Sequence, residues 1–276
     1  MQNTNPSLGA LVFLGAGNMT EALVRGLLAA GLCRPDQVTV TDITPERRDY
    51  FTREFGVRAL GDNRAAVRGA RMVVLAVKPQ VLPAVAGELA GALPPDALVI
   101  SIAAGFRTAR LEALLPERTR VVRVMPNTPA LVGAGAAAWC RGRCATAADG
   151  AAAAALLRAV GLCLEVDEAK MDAVTALSGS GPAYVFRFLE ALLEAARELG
   201  LEDDVARQLA YQTVAGAAEL VRRTGEPPDE LRRRVTSKGG TTEAALRTLD
   251  AADWAGALRA AVRAAARRSE ELSGTA

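Results

Sequence analysis

The 276-residue chain is predicted to be an α/β protein, a doubly wound sheet followed by an all-helical region. Three observations carry this expectation. Short continuous apolar runs alternate with helical patterns through the first half of the chain. The first of those runs ends in a Gly-Ala-Gly turn that leads directly into a helix. After Glu168 the strand signals stop and long amphipathic helices take over. Uninterrupted apolar strands separated by helices mean a parallel sheet covered on both faces, and right-handed crossovers then make it doubly wound.

Leu11 to Gly15 is the first apolar run, and Glu21 to Ala30 reads as a helix closed by Gly31. Val38 to Asp42 alternates as a strand does, and Pro45 to Phe55 is helical. Met72 to Val77, Leu98 to Ile102 and Val121 to Met125 are continuous strands. Weaker strands are expected near Ala136 to Cys140 and Leu162 to Val166, with an Ala-rich helix between them. In the second part Pro182 opens a long helix that Gly200 closes, with proline first and glycine last as helices prefer. Asp203 to Thr224 is a second long helix, ended by Gly225 and Pro227-Pro228. Shorter helices follow at about Asp229 to Val235 and Thr242 to Leu249, and the last runs from Asp253, a good N-cap, to Leu272. The change of character near Val166 to Ala169 divides the chain into residues 1–167, a Rossmann-like dinucleotide-binding domain, and 168–276, a helical domain.

Composition narrows the chemistry. Net charge is +2, and no basic stripe with interleaved aromatics argues for nucleic acid. No apolar run is long enough to span a bilayer, and the first ten residues lack the pattern of a signal peptide, so a soluble cytoplasmic protein is expected. Cys33, Cys140, Cys144 and Cys163 have no metal-ligand spacing and read as small buried hydrophobes in a reducing compartment. The chain contains no histidine, which excludes a Ser-His-Asp triad, a Cys-His pair and His-ligated zinc. Only Lys78, Lys170 and Lys238 are lysines among 33 basic residues, so each draws notice as a compact point charge.

The turn Leu14, Gly15, Ala16, Gly17, Asn18, Met19 has the composition of a phosphate cradle. Gly15 permits the tight turn, Gly17 lets the backbone approach a pyrophosphate, and the following helix offers free N–H groups and its positive dipole end. The third glycine of the usual fingerprint is replaced by Thr20, a side chain where helix and strand should pack closely. Asp42 ends the second strand, where a carboxylate accepts hydrogen bonds from the ribose of NAD and repels the extra phosphate of NADP. The alternative role for Asp42 is to cap the helix that starts near Pro45, and Arg47 and Arg48 lie close enough to receive a 2′-phosphate. On this local chemistry NADH is expected to be used well. Ala76, Val77, Lys78 and Pro79 follow the third clear strand and belong to the ligand crevice at the carboxyl end of the sheet.

Two segments of the helical domain look functional. Leu177-Ser-Gly-Ser-Gly-Pro182 reads as a glycine-serine loop opening a helix, and Val235-Thr-Ser-Lys-Gly-Gly-Thr-Thr-Glu243 as a second loop feeding a helix N-terminus, a ready-made carboxylate site. The segment Val235 to Leu246 resembles the signature of the pyrroline-5-carboxylate reductases. Leu177 to Tyr184, Val124-Met-Pro-Asn-Thr-Pro129 and Ala76 to Pro79 resemble that family's other motifs in the same order. The resemblance runs from Phe13 to about Leu272.

It implies an NAD(P)H-dependent reduction of 1-pyrroline-5-carboxylate to L-proline, with NADPH or NADH as cofactor. It implies a substrate set of Val235, Ser237, Gly239, Gly240, Thr241 and Thr242, in which the backbone from Gly240 holds the carboxylate and the Thr242 hydroxyl meets the ring nitrogen, with Glu168 nearby. Asn63 would lie by the adenosine, and Ile102, Ala103 and Ala104 by the nicotinamide. Lys238 stands where the family often has proline. The family's helical domain interlocks two chains, and its dimers build a larger ring, a decamer. Two other readings share parts of this pattern. One is a dehydrogenase of the β-hydroxyacid or 6-phosphogluconate type, whose catalytic lysine has no counterpart in Lys170. The other is a non-enzymatic NAD(P) sensor, which leaves the Val235 to Glu243 loop unexplained.

Overall fold

The computed structural model describes residues 8–274. The amino-terminal reading of residues 1–7, and the ends of the two expected domains at residues 1–7 and 275–276, lie outside the described residues. The elements are β1 Leu11–Leu14, α1 Asn18–Ala29, β2 Val38–Thr41, α2 Pro45–Phe55, β3 Arg58–Leu60, α3 Asn63–Val67, β4 Met72–Leu75, α4 Leu82–Glu88, β5 Leu98–Ser101, α5 Thr108–Glu112, β6 Arg120–Met125, β7 Gly135–Arg141, α6 Ala147–Arg158 and β8 Gly161–Glu165. They are followed by α7 Met171–Val174, α8 Gly181–Glu198, α9 Asp203–Thr224, α10 Pro228–Arg234, α11 Thr241–Ala251 and α12 Trp254–Gly274.

Among the described residues eight strands join one sheet in the order β3-β2-β1-β4-β5-β6-β7-β8. Strands β1, β4 and β5 are buried along their whole length because helices cover both faces, so every side chain on them is apolar or, at Ser101, internally satisfied. One face packs Phe13, Val40, Val74 and Ile100 under α1, α2 and α6. The other packs Leu14, Val73, Leu75 and Val99 under α3 to α5. The expectation of a doubly wound sheet holds, with one departure. Strand β7 runs antiparallel to β6, while β8 returns parallel to β7. The reason lies in the connection. Between β6 and β7 there is only a short 3₁₀ turn, Thr128–Val132, which is too short to carry the chain back for a parallel strand, whereas α6 does so between β7 and β8.

Packing divides the chain into two compact units, one up to Ser180 together with the chain from Ala265 onward, the other Gly181–Ala264. Residues 168–180, which composition groups with the helices, pack on the sheet edge, where Met171 joins Ala138 and Cys140. The segment expected to be a glycine-serine loop is helical: Thr175–Gly179 forms a π turn running into α8. The Thr175 hydroxyl donates to Met171 O at 2.8 Å and Ser178 Oγ to Val174 O at 3.1 Å, so these hydroxyls back-bond along the helix and do not free the chain. Gly179 packs against the Met125 side chain, whose terminal methyl would have to shift to admit a Cβ there.

The last turns of α12 are fastened within the first unit by a buried polar contact. Ser269 Oγ donates to Asp172 Oδ1 at 2.6 Å, and the Ser273 hydroxyl lies 3.2 Å from the same oxygen and 2.9 Å from Ser269 O. Arg107 stands 4.0 Å from the other Asp172 oxygen. All three of Asp172, Ser269 and Ser273 are buried. Asp172→Ala strips the acceptor from two buried hydroxyls and is expected to cost about 1–3 kcal/mol. Denaturant unfolding at fixed protein concentration reads this directly, and an unchanged midpoint would mean that α12 is not held by this carboxylate.

Candidate functional site

The sheet order reverses direction between β1 and β4, so the chains leaving their carboxyl ends part and open a crevice. The residues expected to hold a dinucleotide meet there. Gly15 N donates to Thr41 O at 2.9 Å, and Ala76 N donates to Leu14 O at 2.8 Å. These bonds bring the turn Leu14 to Met19, the end of β2 and the segment Ala76 to Pro79 together. Ile102 N donates to Leu75 O at 3.2 Å, which sets Ile102, Ala103 and Ala104 next to that segment. A cavity of about 250 Å³, bounded in part by Pro79, Ala104, Phe106 and Arg110, opens beside them.

Gly15 has φ +105°, and a Cβ on it would lie 2.8 Å from Ala76 O, so no other residue fits the turn. Gly17 differs: a Cβ there meets nothing within 4 Å. It is also the N-cap of α1 and contributes no side chain to the first-turn N–H groups. An open cradle over an uncapped helix start fits a pyrophosphate. The missing third glycine is accommodated chemically, since Thr20 is fully buried and its hydroxyl donates to Gly15 O at 2.6 Å. Asp42 is not the cap of α2; that position belongs to Thr44. Its Oδ2 accepts Ala16 N and its Oδ1 accepts Thr44 N, each at 2.9 Å, so the carboxylate braces the glycine turn from the end of β2. Asn63 is fixed by Thr41, whose hydroxyl donates to Asn63 Oδ1 at 2.6 Å, and its amide donates to Glu88 at 2.9 Å. Lys78 is exposed at the rim. The sequence did not point to Thr41, the last residue of β2 and, unlike Thr39, buried.

In the second unit Val235 to Glu243 forms a tight turn into α11. Gly240 N donates to Ser237 O at 3.0 Å, and a Cβ on Gly240 would lie 2.5 Å from Ser237 Oγ. Glu243 reaches back to accept Gly239 N at 2.7 Å, where Gly239 has φ +73°. Gly240 is the N-cap and supplies no side chain, so the first turn, with Thr241 exposed and Thr242 half-buried, is left without an internal cap. Val235 is exposed before the turn, as are Ser237 and Lys238 within it.

Glu168 belongs to the first unit and is fully engaged there. It accepts Thr108 N at 2.7 Å and the Thr108 hydroxyl at 2.6 Å, and pairs with Arg123 at 3.2 Å. It thus caps α5 from sixty residues away, where the helix dipole also favours a carboxylate. Arg123 is buried in the middle of β6, an arginine inside an apolar strand whose partner the sequence alone did not identify. Burial pushes the Glu168 carboxyl up, but the Thr108 bonds and Arg123 outweigh it and hold the group below its ordinary value. The adjacent Cys140 thiol is pushed up to about 12 by burial and by Glu168, so it is no nucleophile at neutral pH. The motif from Val124 to Pro129 joins the π turn directly: Asn127 donates to Ser178 O at 3.0 Å and accepts Ala136 N at 2.8 Å.

Comparison with known proteins bears on both units. The family model for pyrroline-5-carboxylate reductase dimerisation matches residues 168–272, and that of the coenzyme F420-dependent NADP oxidoreductases matches residues 10–105. A pyrroline-5-carboxylate reductase of Pseudomonas aeruginosa is 45% identical over 264 residues, covering 95% of this chain and 96% of the relative. The solved reductase of Coxiella burnetii superposes with a TM-score of 0.88 at 39% identity, covering 97% of this chain and 99% of that one. The Plasmodium falciparum pyrroline carboxylate reductase, solved with NADP bound, gives a TM-score of 0.88 at 29% identity over 96% and 98% of the two chains.

Glu168→Gln removes the charge that serves two Thr108 donors and Arg123. It is expected to destabilise by about 1.5–3 kcal/mol at neutral pH. Because the folded carboxyl titrates below its ordinary value, its contribution is complete above about pH 4.5 and lost as pH falls through the folded value. The gap between wild type and variant in denaturant midpoint should therefore close as pH falls below the ordinary carboxylate range, and a gap that stays constant would contradict the assignment.

Proposed function

The chain belongs to the pyrroline-5-carboxylate reductase family, and from that premise we propose that it reduces 1-pyrroline-5-carboxylate to L-proline with a hydride from NADPH or NADH, the last step of proline biosynthesis. The observation that carries the substrate side is the start of α11: a glycine N-cap, no capping side chain, and Thr242 in the first turn. We assign residues 1–167 to dinucleotide binding and 168–276 to substrate binding and dimerisation, a division supported by the dimerisation match to residues 168–272. The dehydrogenase and sensor readings lack this support.

The bound dinucleotide supplies the hydride, which is the cofactor's own chemistry. The chain's part is position and charge. Leu14, Gly15, Ala16, Gly17, Asn18 and Met19 cradle the pyrophosphate at the uncapped start of α1. Asp42 and Asn63 take the adenosine end. Ala76, Val77, Lys78, Pro79, Ile102, Ala103 and Ala104 line the nicotinamide end. N–H groups from Gly240 to Thr242, with the Ser237 hydroxyl, hold the substrate carboxylate, with Val235 and Gly239 completing the turn. An imine carbon accepts hydride far better when its nitrogen is protonated, and no histidine is present to deliver that proton. The substrate therefore binds as the protonated imine, whose N–H the Thr242 oxygen accepts. Fixing the imine carbon for in-line attack can lower the barrier by several kcal/mol, with about 7–11 as the upper range. Glu168, bound to Thr108 and Arg123, serves as a positioning residue.

The second unit argues for assembly. Helix α8 has no buried residue although it carries Val185, Phe186 and Phe188, all exposed, and α9 buries only Ala206 while Leu209 and Leu220 are exposed. Long amphipathic helices with bare apolar faces need a partner. We assign a homo-oligomer built from dimers, a ring of five such dimers being the form expected. Among the described residues no helix is long and apolar enough to cross a membrane, and the free cysteines fit the reducing cytoplasm, to which we assign the protein.

Loss of absorbance at 340 nm on mixing protein, reduced cofactor and 1-pyrroline-5-carboxylate tests the activity. Thr242→Ala is expected to lower kcat/KM by about 1.5–3 kcal/mol, roughly ten- to a hundredfold, with cofactor affinity unchanged. An unaltered kcat/KM in the folded variant would remove Thr242 from the mechanism. Light scattering at micromolar concentration should report a dimer or larger, and a stable, active monomer would refute the assembly.

A further inference from the structure

NADH and NADPH differ only in a phosphate on the 2′ oxygen of the adenosine ribose, and the residues at the end of β2 and the start of α2 are the ones that meet it. We propose that this chain is built for NADH, with Asp42 and Ile43 as the specificity-determining residues; the inference rests on the reductase reading above.

Asp42 is a fixed acceptor at the ribose position. One oxygen takes the Ala16 N–H of the glycine turn and the other takes the Thr44 N–H. Each still has lone pairs to offer, so the group can accept from ribose hydroxyls. A 2′-phosphate brings no proton to donate and meets a like charge instead. This carboxylate cannot swing away without breaking the bond that braces the turn.

The two nearest arginines are tethered to the turns around Asp42. Arg47 donates Nε to Ala16 O at 2.7 Å and Nη2 to Glu21 at 3.2 Å, and its guanidinium lies 4.9 and 5.3 Å over the Tyr50 and Phe51 rings. Arg48 donates Nη1 to Asp42 O at 2.7 Å and to Ile43 O at 3.1 Å. These bonds anchor Arg47 through Nε and Nη2 and Arg48 through Nη1, so only the remaining N–H groups of each fork are left to meet a phosphate, beside a fixed carboxylate. A further carboxylate, Glu88, holds the Asn63 amide at the adenosine rim.

Ile43 is the independent observation. It is 92% exposed, a large apolar side chain standing in water between Asp42 and Thr44. A site for 2′-phosphate gains nothing from an isoleucine there and would gain from a donor. An adenine ring laid across it would cover it. Acceptor, tethered arginines and bare isoleucine all fit a ribose with two free hydroxyls.

Isothermal titration of the oligomeric protein with NADH and with NADPH, in the absence of substrate, reads the preference without catalysis. NADH is expected to bind at least tenfold more tightly, and kcat/KM for the two cofactors should follow. Asp42→Ser should move the ratio of dissociation constants at least tenfold toward NADPH, and Ile43→Arg should move it the same way with the glycine turn untouched. Equal or tighter NADPH binding by the wild type overturns the proposal, as does an unmoved ratio in both variants when their melting temperatures match wild type. Reduction of pyrroline-5-carboxylate that runs better with NADPH defeats this inference alone. A tenfold binding preference for NADH in a protein that reduces no pyrroline-5-carboxylate supports it and defeats the reductase reading instead.

Discussion

The closeness with which the chain leaving β1 passes the chain leaving β4 governs everything around the crevice. At Gly15 the two backbones are so near that a single added carbon would strike Ala76 O. That approach lets Ala76 N bond to Leu14 O, keeps β1 and β4 adjacent at the centre of the sheet, and turns the chain into α1 with its first N–H groups facing outward. The bracing by Asp42, the buried Thr20 hydroxyl on Gly15 O and the Arg47 bond to Ala16 O all act on this one turn. A turn braced this firmly needs no ordering when a ligand arrives, an ordering that would consume part of the affinity.

Polar groups in the interior follow a related logic. Arg123, Glu168 and Thr108 bind a central strand to a helix start, and Asp172 binds the last turns of α12 to α7. Each is a charge partly or wholly withdrawn from water and satisfied several times over, which is the condition under which such burial is tolerated. No buried side-chain polar atom among the described residues lacks a partner. These links join segments far apart in sequence, so they specify how the chain closes on itself more than they add to its stability.

The second unit obeys a different constraint. Its helices carry apolar faces that a single chain leaves exposed, and its one polar feature of note, the turn from Val235 to Glu243, depends on two glycines and on Glu243 reaching back to Gly239. The first unit has a core of its own, and the second finds its core in assembly.

The sequence by itself determined the layered α/β plan, the long helices and the two glycine-bearing turns, because each depends on local periodicity and on backbone angles that only glycine adopts freely. It put Asp42 at the end of the second strand but left open whether it capped a helix. Only the tertiary structure decided that, since the answer is a bond to Ala16, twenty-six residues away. The antiparallel turn of β7 was hidden because strand direction depends on the geometry of the connection and not on the strand's own pattern. The short elements β3, α3, α4 and α5 were hidden because three to seven residues carry too little periodicity to read. Leu177 to Pro182 looked flexible because glycine and serine cost order in an isolated chain. In the fold Gly179 lies against Met125 and the Ser178 hydroxyl bonds back to Val174 O, which depends on the neighbours and not on the segment's own composition.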